Sequence, residues 1–228
     1  MKISRLLINC TILSLTALSF GCQNNKQATN KSASTSVSTT NKQAKPKRVA
    51  DDLQSKKNKF IFSGTLTKKD KEELAKMNIA AFGDSVMEGC KDDYQKMFPK
   101  IQIDAGVSRQ ASSLPSELAG KNLPDTILIG LGTNGPFSQQ QYDQIMKTLG
   151  QRQVYWINTN VYKDWRQDVN IMLLHGSQKY KNAHVINWYQ YCRNHDDWFW
   201  DGIHPNIEGR QKMVDFVGRN LIADEKFK

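Results

Sequence analysis

Three short motifs in this chain carry residue types that together could perform acyl transfer. Ser85 closes a Gly-Asp-Ser tripeptide, Asn134 closes a Gly-Thr-Asn tripeptide, and Asp201 precedes His204 by three residues. A serine nucleophile needs a general base within hydrogen-bond reach and a group that orients that base. The chemistry that these residue types predict is covalent catalysis, in which an acyl group passes through an ester of the serine.

Ser85 is the candidate nucleophile because of its place in the chain. A short apolar run over residues 79–83 precedes it, and a helical pattern follows. A strand that turns directly into a helix puts the turn residue at the carboxyl end of the strand, where open α/β sheets bind ligands. The positive end of the helix favours developing negative charge there. The alternative is that Ser85 only caps the helix, as serines often do.

The candidate general base is His204, in a predicted loop between the last strand and the last helix. That loop lies at the same edge of the sheet as Ser85. Asp201 can accept a hydrogen bond from Nδ1–H of His204, and Gly202 lets the backbone bend between them. Nε2 is then left to take the serine proton.

The other histidines fit this role less well. His175 falls inside a predicted helix and His184 opens a predicted strand, so both are interpreted as structural. His195, followed by two aspartates, is the rival base, but it lacks the compact Asp-x-x-His turn. The acidic residues and histidines between residues 195 and 204 have no helical i,i+4 pair and no second ligand set, so no metal site is predicted.

Acyl transfer also needs hydrogen-bond donors for the oxyanion. The backbone N–H of Ser85 is one candidate. The glycine-rich segment 130–135 follows the predicted central strand and brings the Asn134 amide to the same edge. The alternative interpretation of this segment is a glycine-rich loop with Asn134 in a left-handed turn.

The segments that position these motifs alternate between strand and helix patterns. A capping-box pattern at Thr67 and Asp70 predicts a helix to about Met77. Strands are predicted over residues 79–83, 101–105, 126–132, 154–159 and 184–188. Helices are predicted over residues 86–98, 114–119, 139–149, 165–180 and 206–222. This alternation predicts a five-stranded parallel sheet in a three-layer α/β/α sandwich.

The distribution of charge and the number of cysteines limit the classes of protein to which this chain could belong. The chain has 228 residues and a formal net charge of +10, but residues 60–228 carry 21 Lys or Arg against 20 Asp or Glu. A nucleic-acid-binding protein would carry its basic residues on the folded face, so no nucleic-acid partner is predicted. Cys90 and Cys192 are the cysteines of the predicted domain. They are interpreted as small buried apolar residues, with a single disulfide bridge as the alternative.

The first part of the chain predicts export and tethering. Residues 1–22 combine a basic start with an apolar core that is too short for a comfortable membrane span. Their end resembles a bacterial lipoprotein lipobox, which implies lipidation of Cys22; an uncleaved anchor and a fully secreted form are the alternatives. Residues 23–58 are polar and basic and are predicted to be a disordered tether. The folded domain is predicted over residues 59–228.

Together, Gly-Asp-Ser, Gly-x-Asn and Asp-x-x-His resemble the SGNH (GDSL) hydrolase family. The resemblance implies a flavodoxin-like fold and a triad of Ser85, His204 and Asp201, with no metal or organic cofactor. It also implies an oxyanion hole that includes Ser85 N–H and Asn134. This family usually adds a glycine donor after the second strand. Segment 104–110 lacks a glycine at that place, and the amide of Ser108 or of Arg109 is the candidate substitute.

Longer motifs narrow the resemblance. Gly-Asp-Ser-Val-Met, Asp-Ala-x-Val-x-Arg-Gln, Gly-Thr-Asn-Gly and Asp-Gly-Ile-His-Pro-Asn are similar to the extracellular domain of Gram-positive peptidoglycan O-acetyltransferases, as is Trp165 with Asn170. The match marks Arg109, Trp165 and Asn170 as candidate substrate-binding residues. In that family a membrane-embedded portion delivers acetyl groups, and the SGNH domain moves them to muramic acid hydroxyls. This chain would take acetyl from a separate membrane protein or from another acetyl ester.

We therefore expect an extracytoplasmic, lipid-anchored, monomeric serine enzyme that transfers acetyl groups on cell-wall glycan through acetyl-Ser85. A hydrolase of cell-wall or other carbohydrate esters, of the acetylesterase or lipase type, would use the same catalytic residues. A third hypothesis is a non-catalytic wall-binding lipoprotein that kept the fold of an enzyme, against which the intact triad argues.

Overall fold

The computed structural model describes residues 46–227 of the chain, in which helices alternate with the strands of one sheet. The strands are Ile79–Gly83 (β1), Gln102–Ala105 (β2), Thr126–Gly130 (β3), Gln153–Ile157 (β4) and Ala183–Ile186 (β5). The α-helices are Pro46–Ser63 (α1), Lys68–Lys76 (α2), Ser85–Gly89 (α3), Lys91–Met97 (α4), Leu114–Leu118 (α5), Gln139–Leu149 (α6), Arg166–Lys179 (α7), Trp188–Cys192 (α8) and Ile207–Lys226 (α9). Two short 3₁₀ turns cover Ala111–Ser113 and Asp196–Trp198.

All five strands are parallel, in the order β2-β1-β3-β4-β5. This is the strand order of flavodoxin-like, doubly wound sheets, so the predicted fold is confirmed. The direction of winding reverses between β1 and β3, which lie side by side in the sheet. Ser85 follows β1 and Asn134 lies in the loop after β3, so both are at the edge where such sheets bind ligands.

The sheet is covered on both faces because side chains alternate along each strand. Ile79 and Ala81 of β1 belong to a core that includes residues of α1, α2, α4 and α9. Ala80 and Phe82 belong to a second core that includes residues of α5, α6 and α7. The result is the three-layer α/β/α sandwich that the sequence predicts.

The folded part begins earlier than the predicted boundary. Helix α1 starts at Pro46, so the boundary between tether and domain after residue 58 falls inside it. Lys57 pairs with Asp224 of α9 at 2.5 Å, and Ile61 is buried in the core. The C-terminal half of α1 is therefore docked on the domain, although its residues are mostly polar. The predicted signal segment, the lipidation of Cys22 and the tether up to residue 45 lie outside the described residues.

Several predicted elements differ in their bounds, and the strands predicted over residues 126–132 and 154–159 end at Gly130 and Ile157. The helix predicted over residues 86–98 is two helices, α3 and α4, which meet at Cys90, where φ is −98° and ψ is 3°. The strand predicted over residues 184–188 ends at Ile186 because the Asn187 side chain caps α8, accepting from Gln190 N–H at 3.2 Å. The predicted capping box is confirmed: Thr67 and Asp70 bond reciprocally at the start of α2.

Cys90 and Cys192 are both buried free thiols, which confirms their interpretation as apolar core residues. Burial raises the pKa of each thiol to about 12, so neither is a reactive thiolate at neutral pH. Across residues 46–227 every helix is too short or too polar to cross a membrane.

Candidate active site

Ser85 is the first residue of α3 and stands directly at the turn from β1. The cap of this helix is Asp84, whose Oδ1 accepts from Val86 N–H at 3.0 Å. The alternative role of Ser85 as the cap is therefore filled by its neighbour. Gly83 makes the turn tight: a Cβ there would lie 2.3 Å from Cβ of Met87.

Asp84 lies beneath this turn and is fully buried. Burial raises the pKa of the Asp84 carboxyl, and hydrogen bonds from Val86 and Thr133 only partly offset that effect. The backbone N–H of Asp84 also donates to the carbonyl of Gly130 at 3.2 Å, which ties the end of β1 to the end of β3. Asp84 thus anchors the turn that carries Ser85.

A continuous hydrogen-bond network links the side chains of Ser85, His204 and Asp201. Ser85 Oγ lies 2.9 Å from Nε2 of His204, and Nδ1 of the same ring lies 2.8 Å from Oδ2 of Asp201. The other carboxylate oxygen, Oδ1, accepts from the backbone N–H groups of Ile203 at 2.9 Å and His204 at 2.7 Å. These bonds, that from His204 N–H above all, lower the pKa of Asp201 to about 2. Asp201 is therefore a carboxylate at neutral pH.

The loop that carries Asp201 and His204 contacts the segment that follows β4, which holds it in place. Gly202 has φ +80°, a left-handed conformation that favours glycine. Its carbonyl accepts from Asn160 Nδ2 at 3.1 Å. The ring of Tyr162 occupies the space that a side chain at position 202 would need, since a Cβ there would lie 2.2 Å from Tyr162 Cε2.

The other three histidines lie elsewhere, and two of them stack on aromatic rings. His195 stacks on Trp198 with ring centroids 3.7 Å apart. His184 lies on β5 and stacks on Tyr155 at 4.7 Å. His175 is on the exposed surface of α7. The bond to Ser85 is made by His204, the base that the sequence favours over its rival His195.

The candidate oxyanion donors other than Ser85 N–H lie in the loops after β2 and β3, which are bonded to one another. Asn134 Nδ2 donates to the Arg109 carbonyl at 3.2 Å, and Gln110 Nε2 donates to the Asn134 carbonyl at 3.3 Å. Arg109 N–H closes a turn by donating to the Gly106 carbonyl at 3.3 Å. Ser108, inside that turn, has φ +62° and is the one non-glycine residue with positive φ among residues 46–227. It adopts the conformation that a glycine would supply more easily.

The three candidate substrate-binding residues all have partners within the chain. The Arg109 guanidinium pairs with Asp104 and Glu117, and its side chain is only 11% exposed. Trp165 is half-buried against the core on the α6–α7 face of the sheet. Asn170 accepts from the N–H of Thr159 and donates to its carbonyl, both at 3.0 Å. These contacts give all three residues a place in the local structure, and their role in substrate binding stays a prediction.

Sequence reasoning missed the polar segment after β4, which joins the loops of the site. Thr159 Oγ1 lies 3.0 Å from Oγ1 of Thr133 in the loop after β3, and Asn160 reaches Gly202. The signal was present: an Asn-Thr-Asn run directly follows a buried strand, at the ligand-binding edge. In the part of the chain that the structure describes, no group of three or more His, Cys, Asp or Glu side chains could hold a metal ion.

The five-stranded parallel sheet flanked by helices matches the fold of SGNH hydrolase-like α/β domains, as the sequence predicts. The C-terminal catalytic domain of peptidoglycan O-acetyltransferase A (OatA) from Streptococcus pneumoniae, solved with a methylsulfonyl adduct, has a similar fold. Its TM-score is 0.58 at 20% identity, covering 65% of this chain and 94% of that chain. A family 3 carbohydrate esterase from Clostridium thermocellum has a TM-score of 0.51 at 15% identity, covering 66% of this chain and 98% of that chain.

The resemblance to peptidoglycan O-acetyltransferases is confirmed by sequence. O-acetyltransferase OatA of Staphylococcus aureus (strain NCTC 8325) is 28% identical to this chain over 163 residues. The match covers 68% of this chain and 27% of OatA, so the chain spans about a quarter of its curated relative. No family model matches the chain.

Proposed function

We propose that this chain is an extracytoplasmic serine enzyme that moves acetyl groups onto cell-wall glycan through an acetyl-Ser85 intermediate. The observation that carries the proposal is the continuous hydrogen bonding from Ser85 Oγ through the His204 ring to the Asp201 carboxylate. The similarity to OatA supports acetyl as the acyl group and peptidoglycan as the acceptor.

The first half of the reaction forms the intermediate. Ser85 Oγ attacks the carbonyl carbon of an acetyl ester as its proton passes to Nε2 of His204. The negative charge of Asp201 stabilises the imidazolium through Nδ1–H. The tetrahedral intermediate then collapses: the bond from the acetyl carbon to the leaving oxygen breaks, and that oxygen takes the proton from Nε2. Acetyl-Ser85 and a free alcohol result.

The second half reverses these roles. A sugar hydroxyl attacks the carbonyl carbon of acetyl-Ser85 and gives its proton to Nε2 of His204. The bond to Ser85 Oγ breaks, and Ser85 recovers a proton from the same nitrogen. The glycan leaves as an acetyl ester, with atoms and charge conserved. In the hydrolytic alternative, water takes the place of the sugar hydroxyl and acetate is released.

Both halves pass through an oxyanion, which needs fixed donors. The N–H of Ser85 lies in the first turn of α3, where N–H groups lack intrahelical partners. Ser108 offers a second amide, and its left-handed backbone, which a glycine would adopt more easily, supports it as the substitute for the glycine donor usual in the family. The side chain of Asn134 is the third donor, and its bond to the Arg109 carbonyl keeps the loops after β2 and β3 together.

Hydrolysis is a second candidate function, and the openness of the site favours it. The side chain of His204 is 42% exposed and that of Asp201 53% exposed. Water can therefore reach acetyl-Ser85 in the absence of an acceptor. Transfer requires that a bound sugar hydroxyl competes with this water.

The proposed setting is the outer face of a cell membrane, with the chain held by a lipid on Cys22 and its acetyl groups supplied by a separate membrane protein. The basic charge of the predicted tether supports proximity to anionic surfaces, by a weak and salt-dependent attraction.

The experiment measures how acetyl groups partition between glycan and water. The full chain is incubated with p-nitrophenyl acetate, with and without a chitin oligosaccharide, and O-acetylated sugar and free acetate are quantified. Faster acetylation of the sugar than release of acetate is the expected result. Acetate that dominates at every acceptor concentration would make the protein an esterase. Equal turnover by a folded Ser85→Ala variant would overturn both functions.

A further inference from the structure

Large exposed hydrophobic side chains gather at the edge of the sheet that carries Ser85. Among residues 50–227, seven such side chains are exposed, and four of them lie in or next to loops at this edge: Val107, Tyr162, Trp200 and Ile207. Scattered single exposures are ordinary on protein surfaces, but a concentration beside a candidate site indicates an interaction surface.

The most exposed aromatic side chain of the four belongs to Trp200, next to Asp201 in the chain. Its neighbour Phe199 is extended, with φ −126° and ψ 148°, and packs against the core. Because successive side chains of an extended segment point in opposite directions, the Trp200 ring points away from the core and is 72% exposed. The N–H of Trp200 donates to the His204 carbonyl at 2.9 Å. This exposed ring is therefore anchored to the loop that carries the candidate base.

Tyr162 is the second exposed ring, at 60% exposure, and it is held at two points. Its ring packs on the Cα of Gly202, and its hydroxyl donates to Asp196 Oδ1 at 3.2 Å. An exposed aromatic that is fixed in this way loses little conformational entropy when a ligand covers it. Rigid Tyr and Trp side chains are effective binding anchors for that reason.

The surroundings of the two rings select the chemistry of a ligand. Carboxylates of Asp196, Asp197 and Asp201 lie in the same segment, and each of the three is exposed. A lipid chain would gain nothing from these carboxylates. A pyranose ring has an apolar C–H face that can cover an aromatic ring, and hydroxyls at its rim that can donate to carboxylates. The combination fits a neutral, hydroxyl-rich sugar.

We propose that Tyr162 and Trp200 form an aromatic platform that binds the glycan acceptor next to Ser85. The proposal deepens the proposed function and rests on it for the identity of the acceptor. Both residues flank the Asp201–His204 turn, so a sugar on the platform lies beside the group that activates its hydroxyl. Sugar stacking there also displaces water from the open side of the site and thereby favours transfer over hydrolysis.

The test measures sugar binding separately from chemistry. The full chain carrying Ser85→Ala is titrated with a soluble chitin pentasaccharide in a calorimeter. Adding Trp200→Ala is expected to weaken the affinity at least tenfold, and Trp200→Phe, which keeps an aromatic face, is expected to restore most of it. Tyr162→Ala is also expected to weaken the affinity, and Tyr162→Phe, which keeps the ring but loses the bond of the hydroxyl to Asp196, is expected to weaken it less. Leu174→Ala, a change at an exposed apolar side chain on α7, is the matched control.

Two results would overturn the platform: affinities of the Trp200→Ala variant within twofold of the parent, or no measurable binding by the parent itself. Thermal unfolding checks that each variant is folded. The proposed function has a separate readout, turnover of p-nitrophenyl acetate by the chain with Ser85 intact. Loss of sugar binding in Trp200→Ala without any such turnover would keep the platform and reject the enzyme. Turnover by the chain with Ser85 intact, together with unchanged sugar binding by Trp200→Ala, would keep the enzyme and reject the platform.

Discussion

The carboxylate of Asp201 holds His204 by its backbone and by its ring at once. Oδ1 accepts from the His204 N–H at 2.7 Å, and Oδ2 lies 2.8 Å from Nδ1. A four-residue turn, from Asp201 to His204, thus fixes both the path of the chain and the orientation of the imidazole. Nε2 is left facing Ser85 Oγ at 2.9 Å. The charge that orients the base is also the charge that shapes the loop.

Replacing Asp201 by Asn is expected to lower kcat/KM for p-nitrophenyl acetate by roughly 10²–10⁴-fold, because an amide does not stabilise the imidazolium and can favour the wrong tautomer. The pKa of Asp201, about 2, leaves it ionised above about pH 4, so its protonation does not limit the rate between pH 5 and 8. Asp168→Asn, a change at an exposed carboxylate on α7, is the control. A rate for Asp201→Asn equal to that of the control would contradict this role.

Asp201 is also expected to make the folded chain less stable as the pH falls. The pKa of Asp201 is lower in the folded chain, at about 2, than in an unfolded chain, at about 3.9. Its stabilising contribution is therefore complete above about pH 4 and is lost as the pH falls towards 2. The difference in Tm between wild type and Asp201→Asn is expected to close over that interval. A difference that widens towards pH 2 would contradict the assignment.

Gly202→Ala is expected to reduce turnover at least tenfold. Alanine at φ +80° costs about 1–2 kcal/mol, and its Cβ would also collide with the ring of Tyr162. Gly120→Ala is the matched control, because Gly120 has φ +73° with open space around its Cα. Both variants are expected to lose stability, but only Gly202→Ala is expected to lose activity, measured with p-nitrophenyl acetate. Equal activities would show that the loop tolerates displacement.

Ser108 provides a test of the oxyanion hole. Ser108→Gly is expected to keep turnover, because glycine readily adopts φ +62° and keeps the N–H. The stability of this variant is expected to change little, because the entropic cost of glycine, about 0.5–1 kcal/mol, offsets the relief of strain. Ser108→Pro removes the N–H and, because proline cannot adopt a positive φ, also reshapes the turn; it is expected to lower kcat by at least about 10²-fold. Val107→Pro is the control, because proline is favoured at the second position of a turn in which the third residue has positive φ. Turnover by Ser108→Pro at the level of Val107→Pro would exclude this amide as a donor.

Sequence patterns predicted those parts of the fold that depend on interactions between residues close together in the chain, such as helix caps. Helix α6 has the predicted bounds because Ser138 and Gln141 form a capping box and Gly150, at φ +64°, ends the helix. The positions of Ser85 and His204 followed from a rule of topology, that loops at the carboxyl ends of parallel strands share an edge. The distance of 2.9 Å between Ser85 Oγ and His204 Nε2, however, depends on how the whole sheet is assembled, and no local sequence pattern predicts it.

What the sequence could not reveal was decided by tertiary contacts. Helix α1 looked like part of a polar tether because few of its residues are apolar, yet Lys57 reaches Asp224, far along the chain. The role of Asn160 depends on the carbonyl of Gly202 and so on the meeting of two loops. The contacts of Arg109 were equally absent from the local pattern: its guanidinium pairs with Asp104 and Glu117, and its predicted part in substrate binding stays a prediction.

The most direct test of the central claim is to find the acetyl group on the enzyme. The full chain is mixed with p-nitrophenyl acetate, quenched in acid during the first turnovers, digested and mapped by mass spectrometry. The account predicts one acetyl group on Ser85, which accumulates in the wild type, disappears when a chitin oligosaccharide is added, and is absent from Ser85→Ala. Turnover without acetyl on Ser85, or undiminished turnover by a folded Ser85→Ala variant, would contradict the account.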